Sequence, residues 1–273
     1  MGTPIGNLSD MSERAVKVLS EADFIAAEDT RNSLRLLTHF GIQKPLISYF
    51  EHNKIERGQE IVERLRAGET AALVTDAGMP AISDPGEDLV RLCAESSIPV
   101  TTVPGPCAAI TALTLSGLST IRFTFEGFLS ANKSERRTAL AELSDEKRTM
   151  IFHEAPHKLR ATLSDMAAAF GEDRKIALCR ELTKLNEEVI RLTLGEAVDY
   201  YEKNDPRGEY VLVVEGAINS KSSTSFWETM SIREHVTHYI TNGMSKNDAI
   251  KAAAKDRNLP KNSVYQEVLD LKV

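Results

Sequence analysis

Five acidic side chains and a histidine stand where apolar runs of the chain give out: Glu28 and Asp29 after "FIAA", His153 and Glu154 after "TMIF", Glu181 after "IALCR", and Glu209 after "RG". A carboxylate or imidazole within about 3 Å of a weakly acidic hydroxyl can take its proton as the hydroxyl attacks, so this set suits general base catalysis. Each also has structural work open to it. Glu28, Asp29 and Arg31 can cap and pair at the start of a helix, and His153 with Glu154 can cap the helix that begins near His157. Arg180 and Glu181 can bridge two strands, a pair worth little where exposed. "SANKSERRTAL" places Lys133, Arg136 and Arg137 in a loop running into a helix, a cluster that serves phosphate contacts or simply a solvated helix face. Cys93, Cys107 and Cys179 lie far apart, each in an apolar segment, which suits reduced, packed thiols; no metal site is expected.

The loops that would position these groups are rich in glycine and proline. "VTDAGMPAISDPG" (residues 74–86) follows an apolar run, "VPGPCAAITAL" follows the next one, and "GTPIGN" opens the chain. At the carboxyl edge of a parallel sheet, where open α/β sheets bind ligands, such residues bring backbone close to a ligand and hold it rigid. Together they describe a pocket lined by main chain and fitted to a small amphiphilic cofactor. Neither the dinucleotide glycine fingerprint nor the phosphate-binding "GK[ST]" loop is present.

Behind the loops, "FIAAED", "PLISYF", "AALVT" and "IPVTTV" alternate with the helical patterns "SERAVKVLSEA", "IERGQEIVERLRAGE" and "EDLVRLCAES", which predicts β-α-β units and a mostly parallel sheet over residues 1–117. Over residues 118–217 the pattern changes to strands such as "TMIFHEA", "KIALCREL" and "EYVLVVEG" with two or three helices, notably 157–170, so a second, mixed α/β domain is expected. "INSKSSTSF" opens a linker over 218–230, and residues 231–273 read as a helical tail with Ser245 and Asn262 as N-caps of two short helices. The apolar stretches are too short to span a bilayer and no leader is evident, which places the protein in the cytoplasm. The 273 residues carry a net charge of -7, against a nucleic-acid partner at first sight; yet residues 218–273 hold 8 lysines and arginines to 6 acids, so the tail leans basic.

In order along the chain, "GTPIGNLSD", "AEDTR" (residues 27–31), "VTDAGMPAISDPG", "VPGPCAAITAL", "FEGFL", "RELTK" (180–184) and "RGEYVLVVEG" resemble the tetrapyrrole-methylase superfamily, and within it the ribosomal RNA small subunit methyltransferase I family. The resemblance covers essentially the whole chain. It implies two α/β domains with S-adenosylmethionine folded in the cleft between them, 2'-O-methylation of a cytidine in the decoding region of 16S rRNA in the small ribosomal subunit, and a homodimer. Their position at strand ends beside that cleft makes Glu28, Glu154 and Glu181 the catalytic candidates, and cofactor contacts are expected from Pro4, Asp76, Gly78, Met79, Ile82, Cys107, Ala108, His153 and Arg180. Asp29, Arg31, Lys133, Arg136 and Arg137 would face the RNA. Relatives of this kind carry a strand before "GTPIGN", whereas here Met1 directly precedes Gly2, so the first loop is expected to hang from the chain's first residue.

Two other readings share the loops: methylation of a small tetrapyrrole precursor, and a nucleotide-binding regulatory module without chemistry. The basic tail, with Lys246, Lys251, Lys255, Arg257 and Lys261 as phosphate contacts, speaks for RNA over a small substrate.

Overall fold

"FIAA" forms β1 (Phe24–Ala27), buried at all four residues, as a central parallel strand covered on both faces requires. The computed structural model describes residues 1–217, 227 and 230–269, and separates into two compact units, Met1–Ala217 and Ile218–Val273. The linker expected at 218–230 lies almost wholly outside the described residues.

In the first unit, α1 (Glu13–Glu21) leads into β1, followed by α2 (Thr30–His39), β2 (Leu46–Ser48), α3 (Lys54–Arg66), β3 (Ala71–Val74), α4 (Gly86–Glu95) and α5 (Ala108–Ser116). The three strands form a parallel sheet in the order β2-β1-β3. Its faces are filled separately, one by Leu19, Ile25, Leu37 and Val74, the other by Phe24, Tyr49, Ile61 and Leu89. The strand expected at "IPVTTV" is absent: residues 98–103 are not in a ladder, and the Val103 carbonyl accepts from Gly2 N–H at 3.2 Å. Alternating β-branched residues make a strand only where a neighbour completes its hydrogen bonds.

The rest of the unit is β4 (Phe123–Phe128), α6 (Lys133–Glu142), β5 (Thr149–Glu154), α7 (Pro156–Phe170), β6 (Lys175–Arg180), β7 (Glu188–Thr193), α8 (Leu194–Lys203) and β8 (Tyr210–Val214). These strands form a mixed sheet in the order β4-β5-β8-β6-β7, parallel between β4 and β5 and antiparallel elsewhere. Alternation along the strands sorts the two faces: Met150, Phe152, Leu178 and Leu212 pack with Leu159 and Leu163 of α7, while Ile151, Ala177, Cys179, Val211 and Val213 pack with Ala109, Ala112 and Leu113 of α5. α5 therefore lies on the second sheet although its sequence closes the first α/β segment.

The second unit has three described helices, α9 (Ile232–Thr241), α10 (Lys246–Asp256) and α11 (Lys261–Glu267). Ser245 caps α10 as expected, but α11 begins at Lys261 behind Pro260, not at an Asn262 cap. α9 was not foreseen; Ser231 and Glu234 form its capping box, a signal present in "SIRE". Arg257, expected at phosphate, is spent internally. It donates to His235 Nδ1 at 3.1 Å and to the carbonyls of Trp227 and Met230 at 2.7 and 2.6 Å. No described helix is long and apolar enough to cross a membrane.

Candidate functional site

The loops expected to hold a cofactor are tied to one another by side chains. Thr75, at the end of β3, donates its hydroxyl to Glu28 Oε2 at 2.6 Å. Asp76 accepts from Asp29 N–H and from the Asn32 amide, each at 3.2 Å. "AEDTR" and "VTDAG" are thus one bonded assembly. Asp84 closes the same loop downstream, its Oδ1 accepting from Ala81 and Gly86 N–H at 2.9 and 2.7 Å, which holds Ala81 and Ser83 in left-handed backbone. Gly78 bonds Thr3 through both backbone groups and has φ +87, so two of the three loops are joined where only glycine sits without strain. Gly2 and Gly105 join the third: a Cβ on Gly105 would lie 2.8 Å from the Cα of Gly2.

These loops and the ends of β4, β5, β6 and β8 enclose a cleft of about 520 Å³. Of the residues expected at a cofactor, Gly78, Met79, Ile82, Cys107, Ala108 and His153 line it, as does Glu154. The first residues of α5 line it, and no side chain caps that helix start, which leaves its first backbone N–H groups without an intrahelical partner. His153 is packed edge-on against Phe125 and Phe128, with ring centroids 5.2 and 5.3 Å away. Its Nε2 is buried and has no hydrogen-bond partner among the described residues. Burial lowers the His153 pKa, the charge of Glu209 opposing the shift, so the ring is neutral near pH 7.

The remaining expected residues lie elsewhere. Pro4 and Asp76 line a second, smaller cavity of about 310 Å³ on the far side of the Thr3 to Gly78 bridge, with Asn32, Arg35 and His39. Arg180 lines neither cavity; it pairs with Glu188 across β6 and β7 at 3.0 Å. Glu181 stands behind the cleft wall at φ +52, accepting from Lys184 Nζ and from Glu209 N–H, both at 3.0 Å. The Lys184 bond holds the Glu181 carboxyl below its usual range. Glu154 is almost fully buried and accepts from Ala155 N–H, the Thr162 hydroxyl and Lys158, which is the work of a helix-start carboxylate.

Asp29 caps α2 and is clamped by Arg31, whose guanidinium holds it down to about 2 while remaining 87% exposed itself. Lys133 is exposed at the start of α6. Arg136, expected at RNA, is 5% exposed and donates twice to Asp165 Oδ2, at 2.8 and 2.6 Å. Its charge is neutralised inside the fold and is not available to phosphate. Arg137 meets the same carboxylate at 2.7 Å yet stays 57% exposed.

Lys184, Phe125, Phe128, Leu182 and His157 also line the cleft and were not singled out from the sequence. The apolar ones carry no signal that separates a lining residue from a core residue. Lys184 lies within "RELTK", and its link to Glu209 at 2.8 Å emerges only when β6 and β8 pair.

Two α/β sheets with a loop-lined cleft at their strand ends make up the methylase architecture of the tetrapyrrole class. The family model for Tetrapyrrole (Corrin/Porphyrin) Methylases matches residues 1–198. Cobalt precorrin-4 methyltransferase shares the fold with a TM-score of 0.58 at 16% identity, over 79% of this chain and 92% of that one. Diphthine synthase does so at 0.61 and 14%, over 79% and 88%. Identities this low speak to fold alone. The sequence relatives are narrower: ribosomal RNA small subunit methyltransferase I of Halalkalibacterium halodurans is 48% identical over 97% of this chain and 92% of its own length. Its Bacillus subtilis counterpart is 48% identical over 96% and 90%, and the Synechocystis sp. one 45% over 99% and 96%. The chain belongs to the ribosomal RNA small subunit methyltransferase I family and is a methyltransferase.

Proposed function

We propose that the protein transfers a methyl group from S-adenosylmethionine to the 2'-oxygen of a cytidine ribose in 16S rRNA of the small ribosomal subunit. The observation that carries the reading is the larger cleft, lined by the glycine loop at Gly78, by the uncapped start of α5 and by the His153 ring. This lining fits the cofactor: the N–H groups at the start of α5 suit a carboxylate, and Phe125, Phe128 and the neutral His153 ring offer apolar and aromatic surface to the rest of the molecule. When bound, S-adenosylmethionine supplies a methyl group already activated by its sulfonium leaving group, so positioning is most of what the protein must add.

The chain's own residues divide that work. Gly78, Met79, Cys107 and Ala108 offer backbone and small side chains to the cofactor, while Ile5, Ile82 and Leu182 keep water from it. Glu28 lines neither cavity itself but stands directly behind Thr75 and Asp76, which line the smaller one; its Oε2 is bonded to Thr75, and its Oε1 has no hydrogen bond among the described residues. It is the carboxylate assigned to accept the proton of the ribose hydroxyl. Glu154 and Glu181 act as positioning residues, Glu154 by fixing the turn after β5 and Glu181 by holding Lys184 at the cleft. Exposed Arg31, Lys133 and Arg137 meet phosphate, a homodimer is the working form, and the cytoplasm is where the subunit substrate is found.

The test is label transfer from methyl-labelled S-adenosylmethionine into small subunits, free 16S rRNA or a porphyrin precursor. Label in RNA supports the reading. Label only in the porphyrin precursor, or in none of the three, overturns it.

A further inference from the structure

The smaller cavity is built differently from the cofactor cleft. Its floor is apolar, from Pro4, Leu8 and Leu36, and one wall presents Asp76 beside Asn32, with Arg35 at the edge. Asn32, Arg35 and Leu36 share one face of α2, at spacings of three and four residues. The two cavities share the same loops: Pro4 and Asp76 line the smaller one, and their chain neighbours Ile5 and Ala77 line the larger. A nucleoside whose base entered the smaller cavity would therefore carry its ribose to the edge of the cofactor cleft.

We propose that this cavity receives the base of the acceptor nucleotide, turned out of its stack, and that Asp76 and Asn32 read it as cytosine. The inference rests on the RNA methyltransferase reading and names the recognition element that reading lacks. The polar wall has a fixed order. Asp76 is acceptor-only, and its two oxygens are oriented by Asp29 N–H and by the Asn32 amide. That bond in turn directs the Asn32 NH₂ toward Asp76, leaving its second hydrogen free to donate. Acceptor beside donor matches the exocyclic amine and N3 of cytosine. Uracil presents an acceptor and a donor at those places, so its O4 would meet the Asp76 carboxylate. The apolar side chains of Pro4, Leu8 and Leu36 suit a base face, and Arg35 suits the adjoining phosphate. Both reading side chains are exposed in the cavity, so substitutions there leave the core intact.

The experiment uses full-length protein and small subunits that lack the methyl group, carrying either cytidine or uridine at the acceptor position. Label transfer is measured for the wild type, Asn32→Ala and Asp76→Asn, and each protein's affinity for S-adenosylmethionine is measured by calorimetry. Asp76→Asn keeps an acceptor for Asp29 N–H while placing an amine where the second oxygen stood. The wild type should prefer cytidine by about tenfold or more, the scale of one good base-edge pair. Asn32→Ala should lower kcat/KM on cytidine by about tenfold, and Asp76→Asn should bring the two acceptors to within about threefold of each other, with cofactor affinity changed by less than about threefold. Variants that keep the wild-type preference and KM overturn the base pocket while leaving the methyltransferase reading in place. A wild type that labels no RNA overturns both.

Discussion

Gly78 is the residue through which the first two loops are joined, and replacing it by alanine separates backbone conformation from space. The alanine methyl would lie 3.4 Å from Ile5 Cγ2 and 3.5 Å from the Pro106 carbonyl oxygen, ordinary contact, so the cavity accepts it. The cost lies in φ +87, where an L-residue is disfavoured by about 1–2 kcal/mol. In a unit of this size each kcal/mol lowers Tm by about 2–4 °C, so Gly78→Ala should melt about 2–8 °C lower. The loop has one way to relieve the strain, which is to give up its two bonds with Thr3 and move the Ala77 to Met79 wall of the cleft. Cofactor affinity should therefore fall too, by about 5- to 30-fold if relaxation recovers all the strain. Gly78→Val adds bulk into the cleft and should lose binding outright. Differential scanning calorimetry and isothermal titration with S-adenosylmethionine read the two effects. Gly78→Ala protein with an unchanged Tm and wild-type affinity would refute the tie between this backbone angle and the cofactor wall.

Other predictions concern the charges and the tail. Asp165→Ala strands the buried guanidinium of Arg136 and should cost about 3–5 kcal/mol in urea unfolding, more than a double replacement by Asp165→Leu and Arg136→Met; equal losses would contradict an uncompensated charge as the cause. Because burial lowers the His153 pKa, the unfolded chain binds its proton first. The stabilising contribution of the neutral ring is complete above the ordinary imidazole value of about 6.5 and is lost as pH falls below it. Melts at pH 7.5 and 5.5 should show a smaller acid loss for His153→Gln than for wild type, and identical losses would remove His153 from the account. Glu28→Gln should lower kcat by about 10²-fold or more with cofactor affinity nearly intact; retained turnover on small subunits would exclude Glu28 as proton acceptor. Ending the chain after Ala217 should leave cofactor affinity unchanged while weakening rRNA binding and flattening its salt dependence, since Lys255 and Lys261 would be lost. A truncated protein that keeps the same salt slope, with its mass checked by sedimentation, would show the tail has no RNA role.

The alternation of apolar runs with helical patterns was enough to read two α/β segments, because strand and helix periods differ and both are written locally. "IPVTTV" failed for the opposite reason, since a strand also needs a neighbour that the sequence does not announce. The glycine loops were legible as turns that meet at one cavity, and six of the nine residues expected at a cofactor line the larger cleft. Pro4 and Asp76 face the other side of the same loops, a distinction set by which way each backbone plane turns. Arg136 and Arg137 look alike in "SERRTAL", yet one helical step sends Arg136 inward to Asp165 and leaves Arg137 at the surface. The partner, 29 residues away, could not be inferred from the charges alone. Lys184 and Glu209 illustrate the same limit, as two loops become one site only when β6 and β8 pair.

The central claim is methyl transfer to a ribose oxygen, and nucleoside analysis of labelled RNA tests it most directly. Small subunits would be incubated with the protein and methyl-labelled S-adenosylmethionine, and the 16S rRNA digested to nucleosides and separated by mass. A single labelled product, 2'-O-methylcytidine, is expected. Label on a base carbon or nitrogen, or on the ribose of another nucleoside, would contradict it.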